Sequence, residues 1–232
     1  MNPAQQDACK RAAAEAAAAL IEDGMVVGLG SGSTAAFFIA ALGRRLAGLH
    51  ITGIPTSDHT ERLARDLEIP LSSFAEHTQI DLTVDGADEI ERGTLGLIKG
   101  HGGALLREKI VAAASRRMVV IADETKIVER LGSLVSVPVE VVRFGWQVTA
   151  RSLAKIGGNP SLRLGKNNTP YVTDGGNFIM GCAFGPINEP EEIADQLDHV
   201  VGVVEHGLFL GYASEAIVGG LDGVKTYRKS GG

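Results

Sequence analysis

Apolar and polar positions alternate along this chain in two rhythms, one before residue 131 and another after it. In the first stretch, short β-branched and aliphatic runs lead through turns into longer segments with helical spacing of apolar residues. MVVGL (25–29), HITGI (50–54), IDLTV (80–84), LGLI (95–98) and MVVIA (118–122) read as buried strands. The Ala-rich residues 4–21, STAAFFIAALGRRLAG (33–48), HTERLARDLEI (59–69) and ALLREKIVAAAS (104–115) read as helices, with a further short helix over 124–131. A hydroxyl residue is expected to cap the second helix and Ser57-Asp58 the third. Leu63 and Leu67 give the third helix its i, i+4 stripe, and Pro70 closes it. Strands alternating with helices at this spacing predict an α/β fold with a parallel, doubly wound sheet.

After Gly132 the rhythm changes. SVPVEVV (136–142), WQVTARSLAKIG (146–157), SLRLG (161–165), GNFIMGCAF (176–184), EPEEIADQLDHV (189–200) and VGVVE (201–205) read β-α-β-β-α-β. That order is ferredoxin-like, so a smaller α+β domain is expected at 132–205. The tail from His206 returns to apolar strands and is expected to rejoin the first domain, giving 1–131 with 206–232 as one unit; only Lys229–Gly232 reads as frayed.

Composition narrows the classes. The 232 residues are 44% hydrophobic and 22% charged, ordinary for a globular chain with a sizeable core. A net charge of -6 and no block of basic residues argue against a nucleic-acid surface. Cys9 and Cys182 stand far apart, with no CxxC or His-rich spacing, so neither a disulfide framework nor a zinc site is expected. The opening lacks a basic end followed by an apolar core, and no apolar run approaches the ~20 residues of a membrane span. A cytoplasmic protein is expected.

Three segments carry candidate chemistry. In GLGSGST (28–34), glycines between a strand and a helix start leave N–H groups for an anion, and Ser31, Ser33 and Thr34 add hydroxyls around Gly32. The spacing is neither the dinucleotide fingerprint nor a P-loop, so a phosphate without a nucleotide fits best; the plainer reading is a turn that needs glycines. In VDGADE (84–89), Asp85 and Asp88 flank the small Gly86 and Ala87 just past a strand, an arrangement suited to acid/base work and also to an ordinary turn. In KGHGGALLREK (99–109), Lys99 ends a strand, Gly100 and Gly102 surround His101, and Glu108 lies in a helix that is apolar nearly all round. A carboxylate buried there would have its pKa raised toward values useful to a general base, unless it is a structural partner of Arg107 or Lys109. His101 reads better as a backbone contact than as a base. Lys126, past MVVIA, and Lys10, on the first helix, are further candidates, each also readable as a solvated helix lysine.

Together these segments resemble the ribose-5-phosphate isomerase type A family. GLGSGSTA, VDGADEI, LIKGHGGALLREK, VVIADETK, PVEV, TDGGN and GLF occur in the family's order, across essentially the whole chain. The resemblance implies a Rossmann-like domain with a smaller ferredoxin-like one, assembled as a homodimer or homotetramer. It implies interconversion of ribose 5-phosphate and ribulose 5-phosphate through an enediolate, without cofactor or metal, in the non-oxidative pentose phosphate pathway. By that resemblance Glu108 is the proton acceptor. Substrate contacts fall on Ser31–Thr34, Asp85, Gly86, Ala87, Asp88, Lys99, Gly100, His101, Gly102, Lys126 and Lys10. Lys99 suits the developing oxyanion, and Asp85 or Asp88 suits proton transfer at the hydroxyls and ring opening. His101 stands where many members have glycine; if φ there were positive it would cost about 1 kcal/mol. A sugar-phosphate sensor of a transcription regulator would need a DNA-binding module ahead of the first strand, for which about twenty residues are too few. An amino-sugar phosphate deaminase or a coenzyme A transferase fits the motif set less well.

Overall fold

The computed structural model describes residues 1–229, so the expected frayed end lies outside the described residues from Ser230 on. The Ala-rich opening forms α1 (Pro3–Ala18), started by a reciprocal Asn2–Gln5 capping box with proline at its first position. There follow β1 (Val26–Leu29), α2 (Ser33–Gly43), β2 (Thr52–Pro55), α3 (Asp58–Asp66), β3 (Leu82–Gly86), β4 (Glu89–Glu91), β5 (Leu97–Ile98), α4 (Leu105–Ala113), β6 (Met118–Asp123) and β7 (Ile127–Val128). The second half adds β8 (Val137–Val141), α5 (Trp146–Lys155), β9 (Pro160–Leu162), β10 (Phe178–Cys182), α6 (Pro190–Asp198), β11 (Val203–His206), β12 (Leu208–Phe209), β13 (Ala213–Gly220) and β14 (Gly223–Arg228).

The central sheet has the order β14-β13-β6-β3-β1-β2, parallel except for β14. Its parallel strands are largely buried on both faces, which is why they read as continuous apolar runs, while the edge strand β14 is mostly exposed. Val119 and Ile121 face a core closed by Ala13, Ala17, Phe38 and Leu42 of α1 and α2. Met118, Val120 and Ala122 face the other side, against Ala112 of α4 and against Ile90, Leu97 and Phe209. A small sheet, β12-β5-β4-β7, therefore covers part of the face where a helix was expected.

Four expectations change here. LGLI does not join the central sheet: Leu95 turns at φ 57, and only Leu97–Ile98 extend, between β4 and β12. The helix over 124–131 is a single 3-10 turn, Glu124–Lys126, capped by Asp123 and followed by β7, which pairs with β4. Helix α3 stops at Asp66, before Pro70 is reached, with Glu68 at φ 57. Helix α4 is one-sided rather than apolar all round: Glu108, Lys109, Val111 and Ala112 are buried while Ile110 is 48% exposed.

Residues 137–206 form an antiparallel sheet, β11-β8-β10-β9, with α5 and α6 packed on one face. Val137, Val139 and Val141 alternate toward Leu153 of α5 and Leu197 of α6. Glu89 anchors the joint before β8, accepting from the N–H groups of Gly132, Leu134 and Val135. The chain then returns through β12 to β13, in parallel register with β6. Among the described residues no helix is long and apolar enough to cross a membrane.

Candidate active site

From β1 the chain adds β2 on one side and then β3 on the other. Such a reversal opens a crevice beyond the carboxyl ends of the strands, the usual ligand position in open α/β sheets. The turn after β1 and the end of β3 meet in it. Gly30 makes the approach possible, since a Cβ there would lie 2.2 Å from Asp85 Oδ1. Asp85 Oδ1 accepts from the N–H of Ser31 at 3.0 Å and of Gly86 at 2.7 Å. Strand β3 runs through Asp85 to Gly86, so Asp85 is held inside the sheet, in register with Val120, rather than past its end.

The expected hydroxyl cap of α2 is absent. Gly32 occupies the cap position at φ 94, a conformation that favours glycine, and no side chain bonds the first turn. The unpaired N–H groups of that turn remain available to an anion. Ser31 Oγ is engaged by a cluster that the sequence reading missed, 2.8 Å from Thr56 Oγ1, 2.8 Å from Ser57 Oγ and 3.1 Å from Thr60 Oγ1. Thr60 also donates to the Gly30 carbonyl and Thr56 to that of Leu29. The legible signal was Thr56 and Ser57 directly after the strand that neighbours β1, with Thr60 in the first turn of α3.

Lys99 is the centre of the charged cluster. Its ammonium, 2% exposed, lies 3.0 Å from Asp85 Oδ2 and 3.4 Å from Glu108 Oε1, and donates to the Gly86 carbonyl at 2.6 Å. Burial opposes its charge, but Asp85 and Glu108 outweigh that and hold its pKa above the usual lysine value. Burial raises both carboxyls and Lys99 pulls both back; for Glu108 the balance is a pKa pushed up to about 8. Two carboxylates sharing one cation titrate as a unit. Asp85 has the shorter contact to Lys99 and two N–H donors, so the negative charge of the pair is better held there. Glu108 Oε2 is buried without a hydrogen-bond partner.

A cavity of about 110 Å³ gathers Lys10, Ser31–Thr34, Gly86–Asp88, Lys99, Gly100, Gly102, Glu108 and Lys126. Lys10 Nζ stands 3.3 Å from Ser33 Oγ. Asp85 is absent from the lining, being fully buried behind it. His101 is absent too. Its backbone N–H donates to Asp88 Oδ2 at 3.0 Å, while its ring reaches the Ser136 carbonyl and borders a separate cavity. Positive φ falls on Gly100 and Gly103, so His101 carries no strain from replacing glycine. A larger cavity, about 560 Å³, lies between β2, α3 and the outer side of α4. Its arginines are already paired, Arg65 with Glu61 and Arg107 with Asp58, and it holds no comparable cluster of perturbed groups.

The described residues also bring Asp198, Glu205 and His206 together. Here the ring Nδ1 accepts from the Leu208 N–H, Nε2 faces Asp198, and the Lys109 ammonium pairs with Glu205 at 2.7 Å. A cation already fills that position, which disfavours a metal.

Residues 52–223 match the family model of ribose 5-phosphate isomerase A (phosphoriboisomerase A). The chain is 54% identical to ribose-5-phosphate isomerase A of Gluconobacter oxydans, over 98% of this chain and 99% of that protein. It is 52% identical to the protein of that name from Synechococcus sp., over 98% and 100%. A solved D-ribose-5-phosphate isomerase in complex with phospho-erythronic acid superposes with a TM-score of 0.93 at 39% identity, covering 98% of this chain and all of that one. A mostly parallel sheet with its crevice, the matched family model and relatives at half identity over the full length agree, and the chain belongs to the ribose 5-phosphate isomerase A family, as an aldose–ketose isomerase of ribose 5-phosphate and ribulose 5-phosphate.

Proposed function

We propose that Glu108 is the general base of this isomerisation and that the other residues of the cavity bind and orient an open-chain sugar phosphate. The observation that carries the reading is the state of the Glu108 carboxyl: buried, with one oxygen unpartnered and the other beside Lys99, in a cavity lined by an anion turn. In the aldose-to-ketose direction, Glu108 takes the C2 proton and an enediolate forms. The same carboxyl returns the proton to C1, while a hydroxyl proton passes from O2 to O1. One base serves both carbons because they are adjacent and the base lies to one side of them. Lys99 stabilises the oxyanion. Asp88, on the cavity wall, is placed for the hydroxyl protons and for ring opening, and Asp85, behind it, holds Lys99.

The phosphate takes the first turn of α2, with Gly32 N–H, the Ser33 and Thr34 hydroxyls and Lys10; Ser31 shapes that turn, and Lys126 adds charge. Gly86, Ala87, Gly100 and Gly102 let the sugar approach backbone, and His101 contributes its N–H through Asp88. Binding the remote phosphate fixes the reacting carbons against Glu108. The relative that binds phospho-erythronic acid supports this division, since such a ligand pairs a phosphate with a planar anionic end like that of an enediolate.

We further propose two domains, a Rossmann-like one of 1–131 with 206–232 and a ferredoxin-like one of 132–205; the antiparallel order β11-β8-β10-β9 supports the second. A homodimer or homotetramer acting in the cytoplasm, in the non-oxidative pentose phosphate pathway, completes the reading. The test is Glu108→Gln, assayed for ribulose 5-phosphate formation with and without chelator. Turnover should fall at least ~10²-fold, on the usual worth of a positioned general base, with phospho-erythronic acid still bound. Near-wild-type turnover would sink Glu108 as the base, and chelator sensitivity the metal-free reading.

A further inference from the structure

Lys99 is held on three sides by oxygen atoms of Asp85, Glu108 and Gly86. Its fourth side is an aromatic ring. The Phe209 centroid lies 5.5 Å from Lys99 Nζ, and the ring is completely buried. The same ring stands 4.9 Å from Nζ of Lys109, the residue after the proposed base. Lys109 is itself buried and paired with Glu205 of β11. One ring thus contacts both ammonium groups flanking the Glu108 position.

The short segment carrying Phe209 also sets the backbone of Lys99. Phe209 and Leu208 pair with Leu97 and Ile98 across β12 and β5. The Gly207 carbonyl accepts from the Lys99 N–H at 2.9 Å. A Cβ at Gly207 would lie 2.2 Å from the Lys99 carbonyl oxygen, so this approach is as close as a backbone allows. Main chain and ring of one segment therefore fix one lysine from two directions. A ring face attracts a cation most strongly where water is excluded, and a fully buried ring beside a 2% exposed ammonium meets that condition.

We propose that Phe209 is a positioning residue for the isomerisation: its ring holds the Lys99 ammonium in place between Asp85 and Glu108 and separates it from that of Lys109. The proposal rests on the reading of Lys99 as the oxyanion partner. Phe209 does not reach the cavity lining, so its effect passes through Lys99, and loss of the ring should lower kcat more than it changes KM.

The experiment measures kcat and KM for Phe209→Leu in the wild-type chain and in a Lys99→Met background. Pentafluorophenylalanine at 209, which keeps the ring's shape and reverses its quadrupole, serves if the leucine variant does not fold. The expected result is a fall in kcat on the order of tenfold with KM held within about twofold, the scale of a desolvated cation–π contact. In the Lys99→Met background the same change should leave kcat where it is, because residues acting through one group are not additive. An unchanged kcat in the wild-type chain, or an equal further loss in the Lys99→Met background, overturns the proposal and leaves Phe209 a core residue. If Lys99→Met alone leaves kcat unchanged, the reading of the site fails instead and takes the positioning role with it.

Discussion

Three glutamates of this chain are buried to similar degrees and treated very differently. Glu89, at the joint before the second sheet, has both oxygens occupied by N–H groups of Gly132, Leu134 and Val135. Glu140, in the middle of β8, accepts from the Thr173 hydroxyl and the Asn177 amide. Glu108 shares a single lysine with a second carboxylate and leaves Oε2 without a partner. A buried carboxylate surrounded by donors is a structural device, since its charge is solvated by the fold. One left short of donors beside an open cavity keeps a lone pair for a proton from elsewhere. Neutral donors of the fold hold Glu89 and Glu140, whereas Glu108, the proposed base, has only the shared ammonium of Lys99.

The largest effect is expected at Glu108. Glu108→Gln should retain the fold and lose turnover by at least ~10²-fold. In the wild-type enzyme the acidic limb of kcat/KM should lie well above the ordinary glutamate range, toward the pKa of about 8. The sign follows from the role: a base works deprotonated, so activity rises as pH rises through that value. A limb near pH 4 to 5 would place the titrating base elsewhere. Lys99→Met tests the shared cation. Removing it leaves two buried carboxylates unpaired, and denaturant unfolding should register a loss of ~3–5 kcal/mol. Because Lys99 lowers the Glu108 pKa, the limb should also move to higher pH in any residual activity.

Glu89→Gln probes the other kind of site. Its amide would set a donor against the N–H groups that Glu89 now receives, costing roughly 1–3 kcal/mol of stability with kcat unchanged below the transition. A loss of kcat without a loss of stability there would erase the distinction between the two acids. The smallest effect is expected at Thr60→Val, which takes one hydroxyl from the cluster behind Ser31. Of that hydroxyl's bonds, to Ser31, Ser57 and the Gly30 carbonyl, only the first holds a side chain of the proposed phosphate turn; at ~1 kcal/mol for that bond, KM for the sugar phosphate should rise about fivefold with little change in kcat.

What was legible in the sequence follows from local rules. Alternating apolar runs and glycine turns identified all five parallel strands' neighbourhoods and the two-helix unit after Gly132, because periodicity and turn chemistry are properties of neighbouring residues. They did not reveal β4, β7 or the small sheet, whose two- and three-residue strands exist only because distant segments pair. At the site, the residue types were readable and their allegiances were not. Asp85 and Asp88 look equivalent in VDGADE, yet Asp85 lies within β3 and is buried behind Lys99, while Asp88 lies beyond that strand on the cavity wall. His101, the most conspicuous titratable group in the glycine turn, faces away. Thr56, Ser57, Thr60 and Phe209 carry no motif of their own, and they matter through contacts made across 25 residues or more.

The linear chain specified the glycine and hydroxyl turn after β1, a carboxylate in the helix after the second glycine turn, and the alternation that builds a parallel sheet. It did so because each depends on residues a few positions apart. Tertiary packing set the rest: Lys99 is shared by two acids, and Glu108 keeps Oε2 buried without a hydrogen-bond partner. A pKa near 8 is the sum of burial and of the charges of Lys99, Asp85 and Asp88, brought to α4 from β3 and from the turns after β3 and β5, and no stretch of the chain contains that sum.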